Sequence, residues 1–143
     1  MNDTVSAQAD RTSALVPLLE AARVVEERLE RALGTIGLSK SKLICLTRLV
    51  EAEESLPLSV LAERCSCVRS NVTQLVDRLE DEGLVRRIND PADRRSVRAE
   101  LTRQGRDAQV QGDKLFRAEE VRVAAELSPT VRAALSALAA SRE

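Results

Sequence analysis

From Leu15 onward the apolar residues fall into blocks with helical spacing, interrupted once by a block that alternates. Leu15, Leu18, Leu19, Ala22, Val25, Leu29 and Leu33 recur at three and four, with Glu26, Glu27, Arg28, Glu30 and Arg31 opposite them. This predicts a long helix from Ser13 or Ala14, closed by Gly34 and Gly37. A helix of about 20 residues is about 30 Å long, more than a small module needs to cover its own core. The surplus apolar face predicts a partner subunit. Residues 1–13, polar and without periodicity, read as a loose arm.

A second helix starts at Ser39 or Ser41, either of which can cap it, and runs through Leu43, Leu46, Leu49 and Val50 to the acids Glu51, Glu53 and Glu54. Pro57 breaks the chain, and Leu58, Leu61, Ala62 and Cys65 give a short third helix one apolar face. Over 68–82, Val68, Val72, Leu75, Val76 and Leu79 line one side of a fourth helix, and Gly83 stops it. The pattern then changes. Segments 84–88 and 96–101 read as strands, with Val97, Ala99 and Leu101 on one face, and the turn-rich loop between them ends in Arg94 and Arg95. Thr102 can cap a further helix that includes Arg106, Leu115, Ala118, Val121 and Ala125, a less regular stripe. Ser128-Pro129 opens a last amphipathic helix through Val131, Ala134, Leu135 and Leu138. The fold class expected is mainly α (α+β): a winged helix-turn-helix with a two-stranded wing, between N- and C-terminal helices.

The outer face of the fourth helix carries Arg69, Ser70, Asn71, Thr73, Gln74, Asp77 and Arg78, whose guanidinium, amide and hydroxyl groups suit phosphates and base edges. Composition adds to this. The chain's net charge is -1, yet residues 83–106 hold seven arginines against three acids, +4, so the remainder carries -5. A basic wing on an acidic body confines attraction for a polyanion to one edge. Arginines solvating an exposed hairpin would look the same, and the helix before them decides for nucleic acid.

These residues resemble the MarR family of transcription regulators. The wing signature is present as Asp93-Arg94-Arg95 and, five residues later, Leu101-Thr102, with Gly105 following. Leu61-Ala62-Glu63-Arg64 and the stretch from Val72 to Leu79 are similar to the supporting and recognition helices. The resemblance implies a single domain over 1–143, with 14–37 and 103–143 as a helical dimerisation region and 39–102 as the DNA-binding lobe. It implies a homodimer on double-stranded DNA, a repressor released by a small-molecule effector; two recognition helices about one helical turn apart predict an inverted-repeat operator, and the cysteines add release by thiol oxidation. Arg69, Ser70, Asn71, Thr73 and Gln74 would face the major groove, with Ser70 and Thr73 equally suited to phosphates. Arg95 would enter the minor groove, steadied by Asp93, while Arg94 meets a phosphate or braces the wing through Asp90 or Asp93. The chain departs from the family at Ser66 and Val68, where glycine and serine are common.

With 143 residues there is room for one core. No apolar run approaches the roughly 20 residues that span a bilayer, and the start lacks a signal peptide, so the expected location is cytoplasmic, without a membrane partner. There are three cysteines and no histidine, which argues against a zinc site, and no metal or cofactor is expected. Cys65 falls on an apolar helix face, where the family typically has leucine, and reads first as a packing thiol and second as a redox sensor. Cys67, just before the recognition helix, reads as a candidate redox sensor whose pKa helix N–H groups can lower. Cys45 carries no functional pattern. With Phe116 the sole aromatic residue, composition disfavours an effector pocket built by stacking; an aliphatic one with an arginine such as Arg23 stays open, and nothing in the sequence singles out its lining. The rival readings are a winged helix for protein contact or non-specific DNA packing, and an enzyme. The last finds no histidine base and no glycine-rich phosphate loop.

Overall fold

The computed structural model describes residues 13–67 and 69–141. The arm read over 1–13 falls outside them apart from Ser13, as does Val68. The elements are α1 (Leu15–Gly34), α2 (Lys40–Ala52), β1 (Leu56–Pro57), α3 (Leu58–Arg64), α4 (Arg69–Asp81), β2 (Val85–Asn89), β3 (Val97–Leu101), α5 (Arg103–Glu126) and α6 (Pro129–Ala140). Mainly helical, with a small antiparallel sheet, this is the winged helix-turn-helix expected. The wing differs in one respect. Its sheet has a third strand, in the order β1-β3-β2, because Leu56 pairs with Ala99 and Pro57 with Arg98. Two residues, one of them proline, give no alternation to read, and proline is tolerated on an edge strand.

Local chemistry sets the helix limits. At α2 the choice falls on Ser39, whose hydroxyl accepts from the Lys42 N–H at 3.2 Å. At the end of α4, Gly83 takes φ +74°, its N–H donates to Glu80 O, and the Leu84 N–H donates to Leu79 O at 2.8 Å. That is a Schellman cap, and it turns the chain directly into β2. Thr102 fastens the far end: its hydroxyl donates to Gly83 O at 2.6 Å and accepts from the Gly105 N–H at 3.0 Å. Gly105 sits so close that a Cβ there would lie 1.9 Å from Leu84 O. The glycine after the wing is therefore a packing requirement.

The core lies in the lobe. Leu46, Leu61, Val72, Val76 and Leu79 are wholly buried, and Leu33 of α1 joins them. The helices outside the lobe behave differently. In α5 the stripe expected through Ala118, Val121 and Ala125 faces outward, with Val121 69% exposed. The buried face is instead Gly105, Gly112 and Glu119: Gly105 lies against Leu84 and Leu101, Gly112 against Leu38 and Leu43, and Glu119 against α1. Glu119 is 6% exposed, and its Oε1 lies 2.6 Å from Arg28 Nε of α1. Helix α6 is capped by Ser128, as expected, but buries none of its residues. No helix among the described residues is long and apolar enough to cross a membrane.

Candidate nucleic-acid interface

Helix α4 packs Val72, Val76 and Leu79 inward, and the same periodicity turns Arg69, Ser70, Asn71, Gln74, Asp77 and Arg78 outward, all exposed. Thr73 is half-buried. Its hydroxyl donates to Arg69 O at 3.0 Å, so its proton is held by the helix and only its lone pairs remain for a ligand. The helix is braced from behind by Arg87 on β2. The Arg87 guanidinium donates to Thr73 O at 3.2 Å and Glu80 Oε1 at 3.0 Å, and pairs with Asp77. Glu80 also accepts the Arg87 backbone N–H, and that bond, reinforced by the guanidinium, holds its carboxyl below the usual carboxylate range. Recognition helix and wing are thus one mechanical unit.

In the wing, each β2 residue pairs with β3 from Val85↔Leu101 to Asn89↔Val97, leaving residues 91–95 exposed at the tip. Asp93 Oδ1 accepts the Arg95 backbone N–H at 3.0 Å, and the Ser96 N–H donates to Asp93 O at 2.9 Å. Asp93 therefore shapes the turn that presents Arg95 through the backbone, in place of the expected grip on the guanidinium. Asp90 is taken by others: its carboxylate accepts the Ala92 N–H at 2.9 Å and faces Arg98 Nη1 at 3.2 Å. The Ala92 bond first, then Arg98, lowers its pKa. The brace considered for Arg94 is accordingly filled by Arg98, which also donates from Nε to Ser55 Oγ at 2.9 Å and from Nη2 to Ser55 O at 2.6 Å.

The arginines of this region divide by use. Arg86 pairs with Glu100, Arg87 with Asp77 and Glu80, and Arg98 with Asp90. Among the described residues, Arg69, Arg78, Arg94 and Arg95 have no carboxylate partner, nor do Arg103 and Arg106 at the start of α5. Charge counting along the sequence could not separate the structural set from the free one, because the partners lie on other elements.

The cysteines also rearrange the expectation. Cys67 is exposed and its thiol donates to Cys65 O at 3.4 Å. Depression toward thiolate falls on Cys65, half-buried at the end of α3, through a hydrogen bond from Cys45, aided by Arg48 and opposed by burial. Cys45 is fully buried and is pushed up, by that shared hydrogen bond first and by burial second. Arg23, considered for an effector pocket, is instead held by Glu20 and Glu27 on the surface of α1.

A MarR family model matches residues 38–97. The chain is similar to the HTH-type transcriptional regulator PrsX of Escherichia coli, 31% identical over 88 residues, 61% of this chain and 53% of PrsX. It spans about half the length of that relative. It is also similar to the HTH-type transcriptional repressor Rv2887 of Mycobacterium tuberculosis, 29% identical over 111 residues, 78% of this chain and 79% of Rv2887. Among solved structures, Sco3205 of Streptomyces coelicolor, a MarR family transcriptional regulator in complex with DNA, aligns with a TM-score of 0.78 at 27% identity. That alignment covers 91% of this chain and 83% of Sco3205.

Proposed function

We propose that this chain belongs to the MarR family by its winged-helix lobe and acts as a sequence-specific, double-stranded DNA-binding transcription regulator, a homodimeric repressor of an inverted-repeat operator. The observation that carries the reading is the set of free cations: Arg69 and Arg78 on α4 and Arg94 and Arg95 at the wing tip are left without carboxylate partners among the described residues, while their neighbours Arg86, Arg87 and Arg98 are paired. Exposed Asn71 and Gln74 supply the amides that discriminate adenine, and Arg69 the fork that fits guanine. Arg95 serves the minor groove, where narrow walls concentrate negative potential. Two lobes joined through α1, α5 and α6 would set their recognition helices about 34 Å apart, one turn of duplex. The open Leu15, Leu19, Val121 and Leu138 supply apolar surface for that junction.

Release by an effector fits the cleft between α2 and α5, lined by Leu43, Ile44, Thr47, Arg48, Asp113 and Phe116. Release by oxidation fits Cys65 as the reacting thiol, with Cys67 two residues on in the turn before the recognition helix.

Selection of binding sequences from random duplex DNA tests the reading, and an inverted repeat is the expected product. On that site Arg95→Ala should weaken matched and random duplexes alike and flatten the salt dependence, whereas Gln74→Ala should cost about 1–3 kcal/mol on the matched site and relax preference there. Recovery of salt-sensitive random sequence alone would replace the specific regulator with a DNA-packing factor.

A further inference from the structure

We infer that the cleft between the start of α2 and the outer face of α4 seats a backbone phosphate of the bound duplex, with Arg78 and Ser41 as its ligands. The inference rests on the DNA-binding reading and adds residues to it. The cleft encloses about 250 Å³ and is lined by Ser41, Cys67, Asn71, Gln74, Leu75 and Arg78. Asn71, Gln74 and Arg78 lie on one stripe of α4, spaced three and four residues apart. A duplex that offers base edges to Asn71 and Gln74 therefore runs its backbone along the groove rim beside them, where Arg78 stands. Arg78 is exposed and has no carboxylate partner among the described residues, so its charge is available to an anion.

Ser41 closes the other wall. Of the first N–H groups of α2, that of Lys40 is taken by Glu30 Oε1 at 2.9 Å and that of Lys42 by Ser39 Oγ at 3.2 Å. The Ser41 N–H and hydroxyl take no partner among the described residues. The hydroxyl is a donor that rotates freely toward a ligand. The role assigned is positional: the clamp fixes how deeply α4 enters the groove and reads no base itself.

Cys67, exposed on the same wall, provides a test of the charge the cleft accepts. The full-length protein is labelled with methanethiosulfonates of similar size bearing either a sulfonate or a trimethylammonium group, with the site of labelling mapped by mass. Binding to the selected duplex and to a random pool is then measured across salt. A phosphate in the cleft predicts that the sulfonate adduct loses binding by tenfold or more while the ammonium adduct keeps it. Arg78→Gln should weaken both duplexes by about tenfold and reduce the salt slope by about 0.9 for each phosphate that is no longer neutralised. Equal responses to the two labels together with an unchanged salt slope in Arg78→Gln would overturn the clamp and leave the regulator intact. Failure of the unlabelled protein to bind DNA at all would overturn both.

Discussion

Two regions of this molecule carry the same hydrophobic periodicity and use it differently. In the lobe, Leu46, Leu61, Val72, Val76 and Leu79 are each at 0% exposure, closed in by other parts of the same chain. In the first half of α1 and in α6, residues at the same spacing stand open, Leu15 at 62% and Leu138 at 58%. A helix that shows an apolar stripe to water would gain stability if that stripe were covered. The contrast teaches that a stripe specifies burial but not by whom. Here the lobe folds on itself, and the helical ends are suited to burial by a second copy.

The sharpest way to break this contrast is to cut one residue from each region. Leu61→Ala should cost about 2–5 kcal/mol in denaturant unfolding, the usual range for a leucine truncated in a closed core, and the loss should not depend on protein concentration. Leu138→Asp should instead leave lobe unfolding close to wild type and raise the dimer dissociation constant by at least about tenfold, read by sedimentation over a dilution series. If Leu138→Asp leaves the mass distribution unchanged at every concentration, the exposed stripe is ordinary surface and the comparison loses its meaning.

The lobe's closure is partly ionic, and pH sharpens that side of the comparison. Glu80 is depressed because its carboxylate accepts the Arg87 N–H and guanidinium. A carboxyl whose folded pKa lies below its unfolded value, about 4.3, adds stability that is present above that value and is lost as pH falls through the lower folded one. Glu80→Gln should therefore lower stability near neutrality and flatten its decline over that acid window. An acid limb identical to wild type would mean that the α4–β2 brace contributes nothing measurable.

How much of this was legible depended on how far apart the interacting residues lie in sequence. Gly83 as a helix stop, Ser128-Pro129 as a helix start and Thr102 as a cap are local devices, and each stands where the residue types indicated. The outer face of α4 was legible for the same reason, since one helix sets both its faces. β1 was not, because Leu56 and Pro57 acquire strand geometry only from Ala99 and Arg98, over 40 residues later. The buried face of α5 was misread because it uses Gly105, Gly112 and an ion-paired Glu119, none of which scores as apolar. Pairing of Cys65 with Cys45, the division of the arginines into braced and free, and the cleft of Ser41 and Arg78 are likewise products of packing between elements.

The smallest expected effect compares two helix ends within the lobe. Helix α3 closes as α4 does: the Ser66 N–H donates to Glu63 O and the Cys67 N–H to Ala62 O, matching the bonds of Gly83 and Leu84. Both turns need a residue with positive φ, +74° at Gly83 and +53° at Ser66. Glycine adopts that region freely, whereas a residue with a side chain is strained there by roughly 1–2 kcal/mol. The Ser66 side chain is exposed and makes no hydrogen bond among the described residues that would offset the strain. Ser66→Gly should therefore raise stability, by about 0.5–1 kcal/mol once the greater freedom of glycine in the unfolded chain is subtracted. Because the same turn leads into α4, the variant also reports whether strain there matters to DNA: equal affinity with higher stability makes Ser66 a tolerated imperfection of the fold, whereas higher stability with weaker binding makes the strain part of how the recognition helix is set.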